Sequence, residues 1–378
     1  MLEIIEIKSA SDFARYEPEW QGFLERVGSR AVFVTHPWLS TWLRFFWTDK
    51  PIEFLLIRNE AQPVALAPFL VDAEDRSLAL PSSSPAGYCD VICDGDKEQV
   101  LHALLGHLKT RFNRLMLNAN RIPESSDLCR LLPSVLRQHQ LLQIRSESFD
   151  SPFLRIDRSW SEYLQSRSAH CRSELKRKCR RIEKAGRLEF RKYATPDQCA
   201  EALQDVFHVE RNSWKQKKGT SFTAIPRTQE FYTDLAIRCA QRGMLGIYTL
   251  RLNGEPIAHV YGIYWAKVYH ALNASYGESH RDLSPGITLF NWCLRDTFDA
   301  HLEEFDFLGD ESRWKDELAS GIRRYVRMTV RPRTPSARIR KRVEEQIKPF
   351  LRAKIPSVVW AYRRLRELGD RGQARAGG

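Results

Sequence analysis

The sequence predicts an α/β protein made of two successive modules, and three observations carry the prediction. Short apolar strands alternate with segments of helical period along most of the chain, the pattern of sheets flanked by helices. A pair of apolar strands joined by a polar turn occurs at residues 52–71 and again at 245–265, as a duplicated unit requires. The 378 residues, 43% of them hydrophobic, suffice for about two packed domains.

The elements follow in order. Residues 2–7 alternate as a strand, and 11–26 carry Phe13, Tyr16, Trp20, Phe23 and Leu24 at helical spacing. Residues 37–47 make a second helix whose apolar face is Trp38, Leu39, Trp42, Leu43, Phe46 and Trp47. The first hairpin comes next; helices are expected at 99–111 and 126–139, and strands at 115–117 and 153–156. The second half repeats this order. A very basic helix over 161–185 ends at Gly186, a natural C-cap, and a strand follows at 187–193. Helices over 196–214 and 228–242 precede strands 245–252 and 256–265, which the Asn253-Gly254 turn connects. Residues 267–276 form a third strand, a loop with Gly and Pro (277–285) opens a helix over 286–298, and 305–307 is a short strand. Residues 336–349 and 357–368 are basic amphipathic helices, and 369–378 have nothing to bury. The expected division is therefore 1–150, 151–330 and a basic helical tail over 331–378.

Charge is distributed unevenly over these parts. The net +12 comprises +10 from residues 331–378 and +8 from 167–192, leaving −6 for the other 304 residues. A uniformly basic, ribosomal-type protein is excluded, and two local basic elements remain to be explained. The eight cysteines include no CxxC pair and no zinc-finger spacing with histidine, so they read as free thiols of a reducing compartment. Residues 1–13 lack a basic and an apolar signal region, and no uncharged apolar run approaches the ~20 residues of a membrane span. The expectation is a cytoplasmic protein without a metal, since no ligand spacing such as H-E-x-x-H occurs.

The stretch 272–318 holds most of the chemistry. A strand there runs through a Gly-containing turn into the helix beginning Ser284-Pro285-Gly286-Ile287-Thr288, and free amides with a positive dipole end suit a pyrophosphate. The same residues also read simply as a helix cap. Asp306, Asp310 and Glu311 lie on or just after the short strand 305–307, where partial burial would raise a carboxylate toward neutrality and make a base. Alternatively, Asp310 and Glu311 cap a turn and Asp306 pairs with Lys315. His259 has the pKa class of a base, or is a satisfied strand residue. Tyr264, Tyr269, His270, Asn273 and Tyr276 are polar residues of neighbouring strands that would line an acceptor cleft or protonate a leaving thiolate. Trp214-Lys215 pairs an aromatic with a cation, fitting an anionic or sugar-bearing acceptor, or a core Trp beside a solvated Lys. Cys293, between Trp292 and Leu294 with no nearby His, reads as a buried structural thiol.

A family resemblance unites these pieces. Residues 33–42 (Phe-Val-Thr-His-Pro-Trp-Leu-Ser-Thr-Trp), Ala65-Leu66-Ala67-Pro68-Phe69, the basic helix, Ser213-Trp214-Lys215, Asn253-Gly254-Glu255-Pro256-Ile257-Ala258, Ser284-Pro285-Gly286, and 305–311 with Trp314-Lys315 occur in a characteristic order. In these the chain resembles the CelD-like, or cellulose-biosynthesis acetyltransferase, family of the GNAT superfamily, and is similar to Fem-type peptidyltransferases. The resemblance covers roughly residues 33–315; the family usually has Tyr-Lys where Trp314-Lys315 stands here.

It implies tandem GNAT-like modules with mixed sheets, the second holding acyl-CoA between two splayed strands. The resemblance makes residues 272–276 the strand beside the thioester. Ser284, Pro285, Gly286, Ile287 and Thr288 then replace the usual Arg/Gln-x-x-Gly-x-Gly/Ala phosphate loop, which is absent. Asp306, Glu311, His259 and Tyr276 become catalytic candidates, and Trp214, Lys215, Tyr264, Asn273, Asp310 and Lys315 acceptor-binding ones. The reaction implied is acyl transfer to an amine or hydroxyl of a small or cell-envelope/exopolysaccharide-related acceptor. The alternatives are a Fem-like transferase using aminoacyl-tRNA and a non-catalytic binding module of a polysaccharide-synthesis assembly. The basic helix fits CoA phosphates, tRNA, an acidic polymer or a solvated face, although the long helical hairpin of Fem-type enzymes is missing. The tail fits peripheral contact with an anionic membrane at its inner face, or docking on the protein body.

Overall fold

The computed structural model describes residues 1–72, 74, 76–82, 87–309 and 313–350. Among these residues thirteen strands form one mixed sheet: β1 (Leu2–Ile7), β2 (Ile52–Asn59), β3 (Gln62–Val71), β4 (Leu78–Ala79), β5 (Ile92–Cys93), β6 (Leu117–Pro123), β7 (Leu141–Arg155), β8 (Leu188–Tyr193), β9 (Leu245–Leu252), β10 (Glu255–Trp265), β11 (Val268–Tyr276), β12 (Glu304–Asp306) and β13 (Gly321–Pro332). Their order is β1-β2-β3-β4-β6-β13-β7-β12-β11-β10-β9-β8, with β5 pairing on β3. Both expected hairpins are present, β2–β3 and β9–β10, and each belongs to an antiparallel set that leads into a single parallel pair. That pair is β4–β6 in the first half and β11–β12 in the second.

The halves share their centre. The long strand β7 pairs with β13 along most of its length, and its end, Phe153 to Arg155, pairs with Asp306 to Glu304 of β12. Strand β13 returns from beyond the second half to lie between β6 and β7. A division at residue 150 therefore falls inside a strand that serves both halves. Strand β13 had no place in the sequence reading because arginines interrupt it, yet Tyr325, Val326, Met328 and Val330 are buried.

Helices cover both faces. One apolar core joins Trp20, Trp38 and Phe54 to Phe231 and Tyr261, beneath Cys199–Arg211 and Pro226–Gln241. The other contains Tyr163, Leu175, Tyr269, Leu289 and Phe305, beneath Ala169–Glu183 and Pro285–Asp299.

Capping residues subdivide three segments expected as single helices. Residues 11–26 lie across Ala10–Arg15 and Glu17–Arg26, with Pro18 in the first turn of the second. The basic segment resolves into Trp160–Ser166 and Ala169–Glu183, because Ser159 and Ser168 each accept an amide of the following first turn. The segment 196–214 becomes a 3-10 turn, the helix Cys199–Arg211 and the single turn Trp214–Lys217. The first tail helix runs Pro335–Arg342 and continues as a π-helical turn, Val343–Ile347; the expected helix at 357–368 lies outside the described residues. All eight cysteines are free thiols, and among the described residues no helix is long and apolar enough to cross a membrane.

Candidate functional site

The second half opens where its parallel pair ends. Strands β11 and β12 pair only at Val268–Glu304, Tyr269–Phe305 and His270–Asp306. Just past β12 the carboxylate of Asp306 accepts the Leu308 amide at 3.0 Å, and Leu308 and Gly309 take left-handed conformations that turn the chain away. The far end of β11 stays bonded to β10 while losing its neighbour on the other side. The resulting gap is a cavity of about 480 Å³. Ala274, Ser275 and Tyr276 of β11 form one wall and Ser284, Gly286, Ile287 and Phe290 the other, and Trp214, Trp314 and the exposed Arg281 complete the lining.

The second wall is a helix entrance. After the 3-10 turn Glu278–Leu283, Ser284 is left-handed (φ 56°) and Pro285 begins the helix Pro285–Asp299. Ser284 makes no side-chain cap, so the first-turn amides and the positive dipole end are left for an anion. A Cβ on Gly286 would stand 3.4 Å from the Tyr276 ring, so a larger side chain there would enter the gap. Of the five residues expected to hold a phosphate, Ser284, Gly286 and Ile287 line the cavity, whereas Pro285 and Thr288 are buried behind it. Arg181 of the basic helix donates to the Asp282 carbonyl at 2.8 Å, which fixes the helix against this loop.

The equivalent entrance in the first half is already filled. There the helix Lys97–Arg111 is capped by the Asp96 carboxylate, which accepts the Gln99 amide at 3.0 Å, and Asp127 pairs with Lys97 at 2.6 Å. A second anion would meet those carboxylates.

Behind the β11 wall lies a buried polar group. His259 of β10 stands directly opposite Ser275 of β11. Its Nε2 is 3.0 Å from Oε1 of Glu210, a residue of Cys199–Arg211 that is fully buried. Because a carboxylate only accepts, this contact assigns the proton to Nε2 and leaves the Nδ1 lone pair free. Neither Nδ1 of His259 nor the hydroxyl of Ser275 has a partner among the described residues. Glu210 also accepts from Ser221 (2.6 Å) and the Phe222 amide (3.1 Å). Lys215 lies 3.9 Å from Glu210 and donates to Asn273 Oδ1 (2.9 Å) and the Ala274 carbonyl (2.7 Å).

Burial pushes His259 below its ordinary value despite the glutamate. It pushes Lys215 down as well, against the same partner. For Glu210 burial acts in the opposite direction, but the bond to His259, the nearby charges and the Ser221 hydroxyl outweigh it and hold the carboxyl low.

The remaining expected residues divide. Asn273 supports Lys215, and Tyr276 lines the cavity. Lys315 donates to the Leu308 carbonyl at 2.6 Å. Tyr264 lies elsewhere: its hydroxyl bonds that of Tyr248, beside Lys192 and Asp296. Tyr269 is buried and donates to the Gly246 carbonyl at 2.8 Å. Asp306 is fully buried, not partly. Burial opposes its charge, yet His270 at 3.7 Å and Arg323 at 3.1 Å hold its carboxyl below the usual range, the reverse of the expected rise. Its ion partner is Arg323 of β13, not Lys315. Cys293 is wholly buried and burial pushes its thiol well up, as a structural thiol requires. Asp310 and Glu311 lie outside the described residues.

Glu210 and Ser275 are additions to the sequence reading. Glu210 did carry a signal, since it falls on the apolar helix face of Leu203 and Val206.

Comparison with known proteins matches this half. Residues 169–316 fit the acetyltransferase (GNAT) domain family, a span that includes the basic helix, β8 to β12 and the cavity. Three solved structures resemble the chain over most of its length. FemX does so at 10% identity, covering 90% of this chain and 100% of its own, with TM-score 0.56. The C-terminal domain of a protein assigned as a lysylphosphatidylglycerol synthetase from Agrobacterium fabrum does so at 12% identity, 89% and 96% coverage and TM-score 0.54. A conserved protein of unknown function from Bacteroides thetaiotaomicron VPI-5482 does so at 13% identity, 88% and 100% coverage and TM-score 0.53. At these identities the likeness is one of fold. No curated protein matches the sequence. The chain has a GNAT-type acyltransferase fold, a mixed sheet flanked by helices.

Proposed function

We propose that the chain moves an acyl group from acyl-CoA to an amine or hydroxyl of a small or cell-envelope/exopolysaccharide-related acceptor, by direct attack and without a covalent enzyme intermediate. The acceptor class follows from the CelD-like resemblance. The observation that carries the reading is the cavity between β11 and the entrance of Pro285–Asp299, whose mostly apolar lining includes Arg281 and Ser284. The residues fit the donor. Arg281 and the amides after Ser284 offer an anion site, Gly286 leaves room beside Tyr276, and Ile287, Phe290 and Trp314 offer an apolar passage.

The donor, when bound, supplies an acyl carbon joined to a good leaving group, a thiolate. The free edge of β11 faces that carbon with backbone amides as oxyanion donors. His259, with Nε2–H held by Glu210, has Nδ1 free to take the acceptor's proton through Ser275 or a water. As the acyl–sulfur bond breaks and the acyl–nitrogen or acyl–oxygen bond forms, Tyr276 stands at the cavity wall to protonate the thiolate. Lys215 holds Asn273 and the Ala274 carbonyl in place around this centre.

A second reading, transfer from aminoacyl-tRNA, draws on the fold likeness to FemX and on the exposed arginines of Ala169–Glu183. Melting of the purified chain with acetyl-CoA, longer acyl-CoAs or aminoacyl-tRNA separates the two. A donor at 100 times its Kd adds about 2.7 kcal/mol, readily visible in Tm. An acyl-CoA shift that vanishes in Gly286→Trp supports the first reading; no acyl-CoA shift, with salt-sensitive RNA binding, supports the second. A chain that responds to neither donor is a binding module.

A further inference from the structure

The helix that follows β13 is mounted with its polarity reversed. Its charged side packs on the body: Lys341 donates to the Gln143 carbonyl at 3.0 Å, and Glu345 accepts the Arg145 amide of β7 at 2.8 Å. Its apolar side faces outward. Ile339 is 67% and Ile347 43% exposed, and with Val343 and Phe350 they line one continuous shallow groove. Exposed Arg338, Arg340 and Arg342 flank this stripe. Burying the apolar stripe against the body and leaving the charges in water would be the ordinary arrangement for such a helix.

We propose that this outward face, from Ile339 to Ile347, is the surface by which the protein rests on an anionic lipid bilayer. Charge decides between occupants. A stripe of Ile and Val bordered by three exposed arginines has the composition of a helix lying in the headgroup plane, where the apolar side chains enter the acyl boundary and the guanidinium groups meet phosphates. A second copy would bring the same three arginines into contact with these, charge against like charge. The chain beyond residue 350 adds seven Lys/Arg against two Asp/Glu, a net positive charge that an anionic surface also attracts. The inference is independent of the donor and of the acceptor.

The test is flotation of the full chain with vesicles of phosphatidylcholine alone and of phosphatidylcholine mixed with phosphatidylglycerol, at low and high salt. Wild type is expected to float with the mixed vesicles at least tenfold better than with the neutral ones, and to lose that preference in high salt. The double variant Ile339→Glu/Ile347→Glu, at exposed positions the fold does not need, is expected to weaken binding to the mixed vesicles at least tenfold with Tm unchanged. Arg338→Gln/Arg340→Gln/Arg342→Gln is expected to remove the preference for phosphatidylglycerol. Three results would overturn the proposal: wild type that ignores mixed vesicles, glutamates that leave flotation as it was, or a wild-type dimer in solution that the glutamates dissociate.

Discussion

Replacing Glu210 by alanine tests the buried polar group most severely. The carboxylate is fully buried and accepts from His259 Nε2 at 3.0 Å, Ser221 Oγ at 2.6 Å and the Phe222 amide at 3.1 Å, with Lys215 at 3.9 Å. Alanine orphans the His259 and Phe222 donors, while Ser221 keeps the Glu210 backbone carbonyl at 3.3 Å, and it leaves Lys215 without its counter-charge. Each stranded buried donor costs about 1–3 kcal/mol, and breaking a buried ion pair costs about 3–5 kcal/mol. Because these terms describe the same atoms they do not add, and the expected loss is about 3–5 kcal/mol out of the ~5–15 kcal/mol that holds a typical protein folded. Glu210→Gln keeps volume and one acceptor and should lose about half as much.

Denaturant unfolding followed by tryptophan fluorescence measures both variants. The strands β7 and β13 belong to both halves, so one transition is expected. The pH course supplies an internal check: a carboxyl held below its unfolded value contributes stability above about pH 4.3, and that contribution is lost as pH falls through the folded value. The gap between wild type and Glu210→Gln should therefore be full at pH 7 and shrink below pH 4. A loss under about 1 kcal/mol for the alanine variant, or a gap that widens in acid, would refute the reasoning.

Three further outcomes follow from other buried charges. Arg323→Met strips Asp306 and Glu304 of a partner at 3.1 and 2.7 Å and should destabilise by about 3–5 kcal/mol; a loss below 1 kcal/mol by the same unfolding assay would remove the pair from the account. Asp90 is buried and pushed up to about 8, so its folded form keeps a proton that the unfolded chain releases above about pH 4, and stability falls as pH rises from there toward 8. Asp90→Asn should then raise Tm at pH 8 and do nothing at pH 4, and a lowered Tm at pH 8 would contradict this. Burial pushes His36 down to about 4, so the unfolded chain binds a proton first and stability drops by up to about 3 kcal/mol between pH 6.5 and 4. The slope of Tm against pH over that window should flatten in His36→Gln, with His259 and His139, which are also pushed down, among the groups that supply the remainder; an unchanged slope would show that His36 titrates normally.

Much of the fold was legible because local signals agreed with it. Alternating apolar residues, the Asn253-Gly254 turn and the Ser-Pro-Gly entrance each specify a neighbourhood of a few residues, so both hairpins and the helix Pro285–Asp299 stood out. The entrance could be recognised as an anion site because a helix N-terminus is a local property. Strand β13 was illegible because its arginines disguise the alternation, and only its place between β6 and β7 buries Tyr325 and Met328.

The polar centre depended more on long-range contact. His259 could be named as a base from its residue type, but its partner lies 49 residues earlier and its cross-strand neighbour, Ser275, is set by the register of β10 on β11. Asp306 shows the opposite case. A short apolar strand gave its carboxylate the look of a raised base, until β13 brought Arg323 to within 3.1 Å.

By itself, then, the sequence determined an α/β chain with a repeated hairpin, free thiols, two basic elements and one helix entrance fit for an anion. The tertiary structure decided which half keeps that entrance open, which carboxylate holds the histidine and which side of the tail helix meets solvent. The division has one physical cause: propensity, capping and charge density act over a few residues, whereas burial, ion pairing and pKa depend on whatever the folded chain brings within a few ångströms.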